Sequence, residues 1–106
     1  MIQNQIFSDL KVIELASVLA GPSVGQFFAE LGATVIKIEN PNTKGDVTRS
    51  WKLKSEDNST NTSAYFACAN WGKQHLFKNL KDNSDKEDVL NLIKEADVVI
   101  GSYKPG

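Results

Sequence analysis

The stretch that decides the fold is Asp9-Leu-Lys-Val-Ile-Glu-Leu-Ala-Ser-Val-Leu-Ala-Gly-Pro-Ser-Val-Gly-Gln-Phe-Phe-Ala-Glu-Leu-Gly-Ala-Thr-Val-Ile-Lys-Ile-Glu39. Residues 9–18 are β-branched and aliphatic, then small, the pattern of a buried strand. Gly21-Pro22 opens a helix, because proline's missing N–H does no harm in the first turn. Val24, Phe27, Phe28 and Leu31 then recur at helical spacing as one apolar stripe. Gly32 is placed to stop that helix, and residues 33–39 read as the next strand. A strand–helix–strand unit with a right-handed crossover makes its two strands parallel.

The rest extends this unit. Residues 40–62, rich in Asn, Ser, Thr and Lys, read as a long surface loop. Ser63–Trp71 reads as a short helix with Tyr65 and Phe66 inward, and 74–80 as a third strand. Ser84 and Glu87 match a capping box, ahead of a helix with the stripe Val89, Leu92, Ile93 and Ala96. Asp97–Ile100 is a fourth strand, and Lys104-Pro105-Gly106 a turn. The order implies an open α/β sheet, expected to be the first part of a larger protein.

Composition narrows the function. The 106 residues suit one domain with a modest core. Twelve basic against thirteen acidic residues give a net charge of −1, which does not point to nucleic acid. No apolar run approaches the ~18 residues of a membrane span, and Met1–Gln5 lacks a signal-peptide pattern. One cysteine, Cys68, and one histidine, His75, leave no disulfide framework and little for a metal. The expectation is a cytoplasmic protein without metal or membrane.

The residues alone offer few candidates. Gly21, Pro22 and Ser23 sit where helix-terminal N–H groups attract phosphate. Glu39 stands near where a dinucleotide fold places its ribose-binding acid, but G-x-G-x-x-G is missing. His75 has no serine or acid partner at a recognisable spacing. Cys68 reads as a small buried hydrophobe, and Trp51 and Trp71 as packing residues. Arg49, Lys52, Lys54, Lys73, Lys78 and Lys81 form either a cationic rim or a solvated face. No two carboxylates are spaced for acid–base work.

Taken together, five motifs resemble the family III CoA-transferases, which include formyl-CoA transferase, carnitine CoA-transferase and alpha-methylacyl-CoA racemase. They are Leu10–Leu15 with Ala20-Gly-Pro-Ser23, Leu31–Glu39, Gly45-Asp46-Val-Thr-Arg49, Asn70-Trp-Gly-Lys73 with Asn79-Leu-Lys81, and Ala96–Val99 with Lys104-Pro-Gly106. The resemblance implies that residues 1–106 are the N-terminal, coenzyme A-binding part of a Rossmann-like large domain, with no second domain. It implies an interlocked homodimer and transfer of CoA from an acyl-CoA donor to a carboxylic acid acceptor through an aspartyl thioester. By matching position, Val18, Leu19, Ala20, Asn40, Lys78, Lys81, Ser102 and Tyr103 fall at the CoA site.

The family's nucleophilic aspartate lies beyond residue 106, so no catalytic residue is assigned and this piece alone is expected to be inactive. Leu19 replaces the glutamine of formyl-CoA transferases, Gln74 an arginine, and Gly101-Ser102 a Glu-Asn pair. A racemase of the same family, a dinucleotide-binding module and a non-catalytic interaction domain remain as alternatives.

Overall fold

Strands β1 (Lys11–Leu15) and β2 (Thr34–Glu39) flank helix α1 (Ala20–Glu30) in the computed structural model, which describes residues 5–103. Helix α2 (Ala64–Cys68), β3 (Gln74–Phe77), α3 (Asn83–Lys94) and β4 (Val98–Gly101) follow. The four strands form one parallel sheet in the order β3-β2-β1-β4. The chain winds outward from β1 through β2 to β3, then returns to place β4 on the other side of β1. The turn expected at Lys104–Gly106 lies outside the described residues.

Side-chain alternation along the strands divides the core into two layers. Val12 and Val35 pack with Phe28, Ala29, Val98 and Ile100 on the face covered by α1. Ile13 and Ile38 pack with Ile36, Leu76, Val89, Leu92 and Ile93 on the face covered by α3. The stripe expected on α3 therefore does face the sheet.

The stripe expected on α1 does so only in part: Phe28 packs against this core and Leu31 is half-buried. Val24 and Phe27 are exposed, and Gly21, Pro22, Gly25 and Gln26 are buried instead. Small residues let the helix lie close to the sheet: a β-carbon on Gly25 would overlap Glu14 Oε1. Phe27 joins Phe7 and Phe28 in an aromatic cluster at 5.2–5.9 Å between centroids. Gly32, at φ 102°, ends the helix as expected.

Four other expectations change. The loop 40–62 holds two 3-10 turns, Pro41–Thr43 and Val47–Ser50, and buries Asp46 and Thr48. In α2, Phe66 is buried, but Tyr65 turns outward against Trp51. Cys68, expected inside, is exposed, as are Trp51 and Trp71. The cap of α3 is Asp82, whose Oδ2 accepts from the Asp85 N–H at 2.9 Å, rather than Ser84.

The helix cap is testable. Asp82→Ala is expected to lower stability by about 1 kcal/mol, the usual effect of losing an N-cap acceptor. Ser84→Ala should have little effect. Urea denaturation of both variants checks the order, and the reverse ranking would restore Ser84 as the cap.

Candidate functional site

Glu14 and Lys37 are register partners on the α1 face of the sheet, just beyond the Val12–Val35 layer. Both are fully buried. An ammonium can be buried only if its donors are all used. Lys37 Nζ meets Glu14 Oε2 at 2.8 Å, the Ala16 carbonyl at 2.8 Å and Asp46 Oδ2 at 3.0 Å. Lys73 Nζ is likewise engaged by the Pro22 carbonyl at 2.9 Å, Asn70 Oδ1 at 2.8 Å and Glu14 Oε1 at 2.7 Å. The last contact is an ion pair without hydrogen-bond alignment. Burial pushes the Lys73 ammonium below its ordinary value, with Glu14 opposing the shift.

A second charged group continues this line along β2. Arg49 grips Glu39 through two hydrogen bonds of 2.7 Å, and the Asp46 N–H adds a third at 2.8 Å. The Arg49 guanidinium also stacks on Phe66, 3.9 Å from the ring centre. His75, expected to lack a partner, has Nδ1 3.0 Å from Glu39 Oε2. A carboxylate only accepts, so this geometry assigns a proton to Nδ1. Burial by itself would raise the Glu39 carboxyl. The bonds from Arg49, His75 and Asp46 outweigh it and hold the group down to about 2. For Asp46, too, burial is overcome, here by the Thr48 N–H and Lys37, and its carboxyl sits below the ordinary value.

Two adjoining clefts open at the carboxyl ends of the strands, with volumes of about 460 and 470 Å³. The first runs between Ala16-Ser17 after β1 and Ser102-Tyr103 after β4, bordered by Asn40, Lys44 and Asn61. The second continues past Asn40 to Lys78, Asn79 and Lys81 after β3. Tyr103 borders both. The strand order reverses between β1 and β4, and open α/β sheets bind ligands in the crevice at such a reversal.

The fold thus brings five of the eight expected residues to one edge. Asn40, Ser102 and Tyr103 line the first cleft, and Asn40, Lys78, Lys81 and Tyr103 the second. Val18, Leu19 and Ala20 lie beside this edge, at the turn into α1, and line neither cleft. Val18 has φ 72°. That conformation costs a non-glycine residue on the order of 1–3 kcal/mol.

The cationic rim is largely spoken for. Lys73 is buried, Arg49 holds Glu39, Lys52 binds loop carbonyls, and Lys78 pairs with Asp88 at 2.9 Å. Among the described residues of the second cleft, Lys81 has no ion partner. No group of three or more His, Cys, Asp and Glu side chains stands together as a metal would need, among the described residues. None of the described helices is long and apolar enough to cross a membrane.

Comparison with known proteins decides the family. The sequence model of CoA-transferase family III matches residues 7–106. The chain belongs to this family. It is 44% identical over 100 residues to succinate–glutarate CoA-transferase of Agrobacterium fabrum, covering 92% of this chain and 25% of the relative. It is 39% identical over 99 residues to succinyl-CoA:mesaconate CoA-transferase of Haloarcula marismortui, covering 92% and 24%. Its fold is similar to the crystal structure of a CAIB/BAIF family protein from Brucella suis, with a TM-score of 0.82 at 42% identity, covering 96% of this chain and 27% of that one. The chain therefore spans about a quarter of the length of these family III relatives.

Glu14, Lys37 and Asp46 are not among the candidates the residues alone offer, and Lys73, offered as part of a cationic rim or a solvated face, is buried beside Glu14 instead. A signal existed. Buried parallel strands read as near-continuous apolar runs, so a glutamate inside Val-Ile-Glu-Leu and a lysine inside Val-Ile-Lys-Ile mark a charge pair.

The charged line carries two testable consequences. The Glu39 carboxyl lies at about 2 in the folded chain against an ordinary 4.5. A depressed carboxyl stabilises the fold above the ordinary value, and that contribution is lost as pH falls toward the depressed one. Glu39→Gln should lower the thermal midpoint near neutral pH and flatten its fall between pH 4.5 and 2. An unchanged slope would contradict this assignment. Gly25→Ala should cost about 2 kcal/mol, overpacking against Glu14 outweighing the gain in helix propensity. Denaturant titration reads the sign.

Proposed function

We propose that this chain is the CoA-binding N-terminal portion of an acyl-CoA:carboxylate CoA-transferase acting in the cytoplasm as an interlocked homodimer. The observation that carries the reading is the pair of adjoining clefts along the carboxyl edge of the sheet, the first opening at the β1–β4 reversal, which together gather Asn40, Ser102, Tyr103, Lys78 and Lys81. The names of the relatives support the reaction class, since each of those described transfers CoA to or from a carboxylic acid.

The division of labour follows from the chemistry of CoA. Lys81, unpaired and exposed among the described residues, suits a phosphate. Tyr103, exposed between the two clefts, offers an aromatic face to the apolar pantetheine arm. Val18, Leu19 and Ala20, at the turn into α1 beside the first cleft, are assigned to the same path by their matching position in the family motif. The aspartate that forms the thioester is assigned to a position beyond residue 106, so these residues bind and orient the acyl-CoA while the bond changes occur elsewhere. On that ground the 106 residues by themselves should not turn over acyl-CoA.

The dinucleotide alternative loses its main residue. Glu39 would have to meet a ribose, but both its oxygens are engaged by Arg49, Asp46 and His75.

Calorimetry of the full-length protein tests the reading. Lys81→Ala should weaken CoA binding about tenfold, the scale of one charge-assisted hydrogen bond. Ala20→Leu should also weaken it, by placing a larger side chain on the ligand's path. NAD, which lacks the pantetheine arm, should bind more weakly than CoA. Wild-type affinity in both variants would move the site elsewhere.

A further inference from the structure

Val18 is β-branched, and a β-branched residue at φ 72° is a conformational outlier. Such a residue persists only where its surroundings over-determine it. Here the restraint is visible. Both carboxylate oxygens of Asp46 accept from the Val18 N–H, at 3.3 Å each. Asp46 is itself immobilised: its Oδ1 accepts from the N–H and hydroxyl of Thr48 at 3.0 and 2.9 Å, and its Oδ2 lies 3.0 Å from Lys37 Nζ. Lys37 also donates to the carbonyl of Ala16, two residues before Val18. The turn is thus gripped on both sides by one buried ion pair. The side chains of Lys37 and Asp46 have no accessible surface, so they can act on a ligand only through the backbone they hold.

We infer that Asp46, backed by Lys37, is a positioning residue that keeps the Val18 turn left-handed and so sets how residues 18–20 meet CoA. The inference rests on the reading of those residues as part of the CoA site. It makes the inaccessible Asp46 side chain, 28 residues along the chain from Val18, a determinant of substrate affinity through the turn it holds, apart from any contact its loop makes as a wall of the first cleft.

A double-variant cycle tests it. Glycine adopts positive φ about as readily as negative, so it needs no clamp at position 18. CoA affinity is measured by calorimetry for the full-length wild type, Asp46→Asn, Val18→Gly and the double variant. Asp46→Asn should weaken binding about tenfold in the wild-type background, and less than about threefold in the Val18→Gly background. Equal losses in the two backgrounds would show that Asp46 only supports the fold, and no loss in either would equally overturn the inference. Should Asp46→Asn fail to fold, amide exchange in the wild type decides. The Val18 N–H should be strongly protected by its buried acceptor, and exchange at the solvent rate would overturn the clamp. Ala20→Leu keeps the two readings apart. If Ala20→Leu binds CoA as the wild type does, the CoA reading of residues 18–20 fails. If it weakens binding while the Asp46→Asn losses are equal, only the clamp fails.

Discussion

An ammonium group with no access to water constrains this whole structure. Desolvating Lys37 is costly enough that the fold must supply an oxygen for each of its three donors. Glu14 comes from the neighbouring strand, the Ala16 carbonyl from the turn after β1, and Asp46 from a loop that would otherwise have no reason to be buried. Glu14 in turn needs Lys73, which reaches back to the Pro22 carbonyl in the first turn of α1. Two acids and two bases close a neutral set that ties β1, β2, α1 and the loops before β3 into one unit.

That requirement shapes the surrounding packing. Glu14 needs room beneath α1, so the buried side of the helix carries glycine and proline in place of its large apolar residues. Removing one member of such a set leaves a partner buried and unpaired, which destabilises far more than a surface ion pair stabilises. The Glu39–Arg49–His75 group uses the same logic one strand position further along, with Phe66 and Phe77 screening the guanidinium. The two groups meet at Asp46, whose N–H bonds Glu39 and whose carboxylate meets Lys37.

The consequence for function is a rigid floor beneath an open edge. The clefts lie along the carboxyl edge of the sheet, the first of them where the strand order reverses, and their walls include loop residues such as Asn40, Ser102 and Tyr103. The loops can change while the charged set, being buried and interdependent, cannot change one residue at a time.

The local order was legible because it depends on short-range pattern. Apolar runs, Gly21-Pro22 and Gly32 mark the strand–helix–strand unit, and Val89, Leu92 and Ile93 mark the buried side of α3. The family motifs, read in order, likewise pointed to CoA-transfer chemistry before any geometry was known. What tertiary structure alone decided was which polar residues meet. His75 finds Glu39 across 36 residues, Lys73 finds Pro22 across 51, and Asp46 finds Val18 across 28. Spacing along the chain carries no trace of such pairings. The same holds for α1, where the closeness of Glu14 turned Val24 and Phe27 outward against their helical periodicity. Hydrophobic period reports which residues could be buried together. The burial of a charge, which must find its partners at fixed distances, determines which of them are.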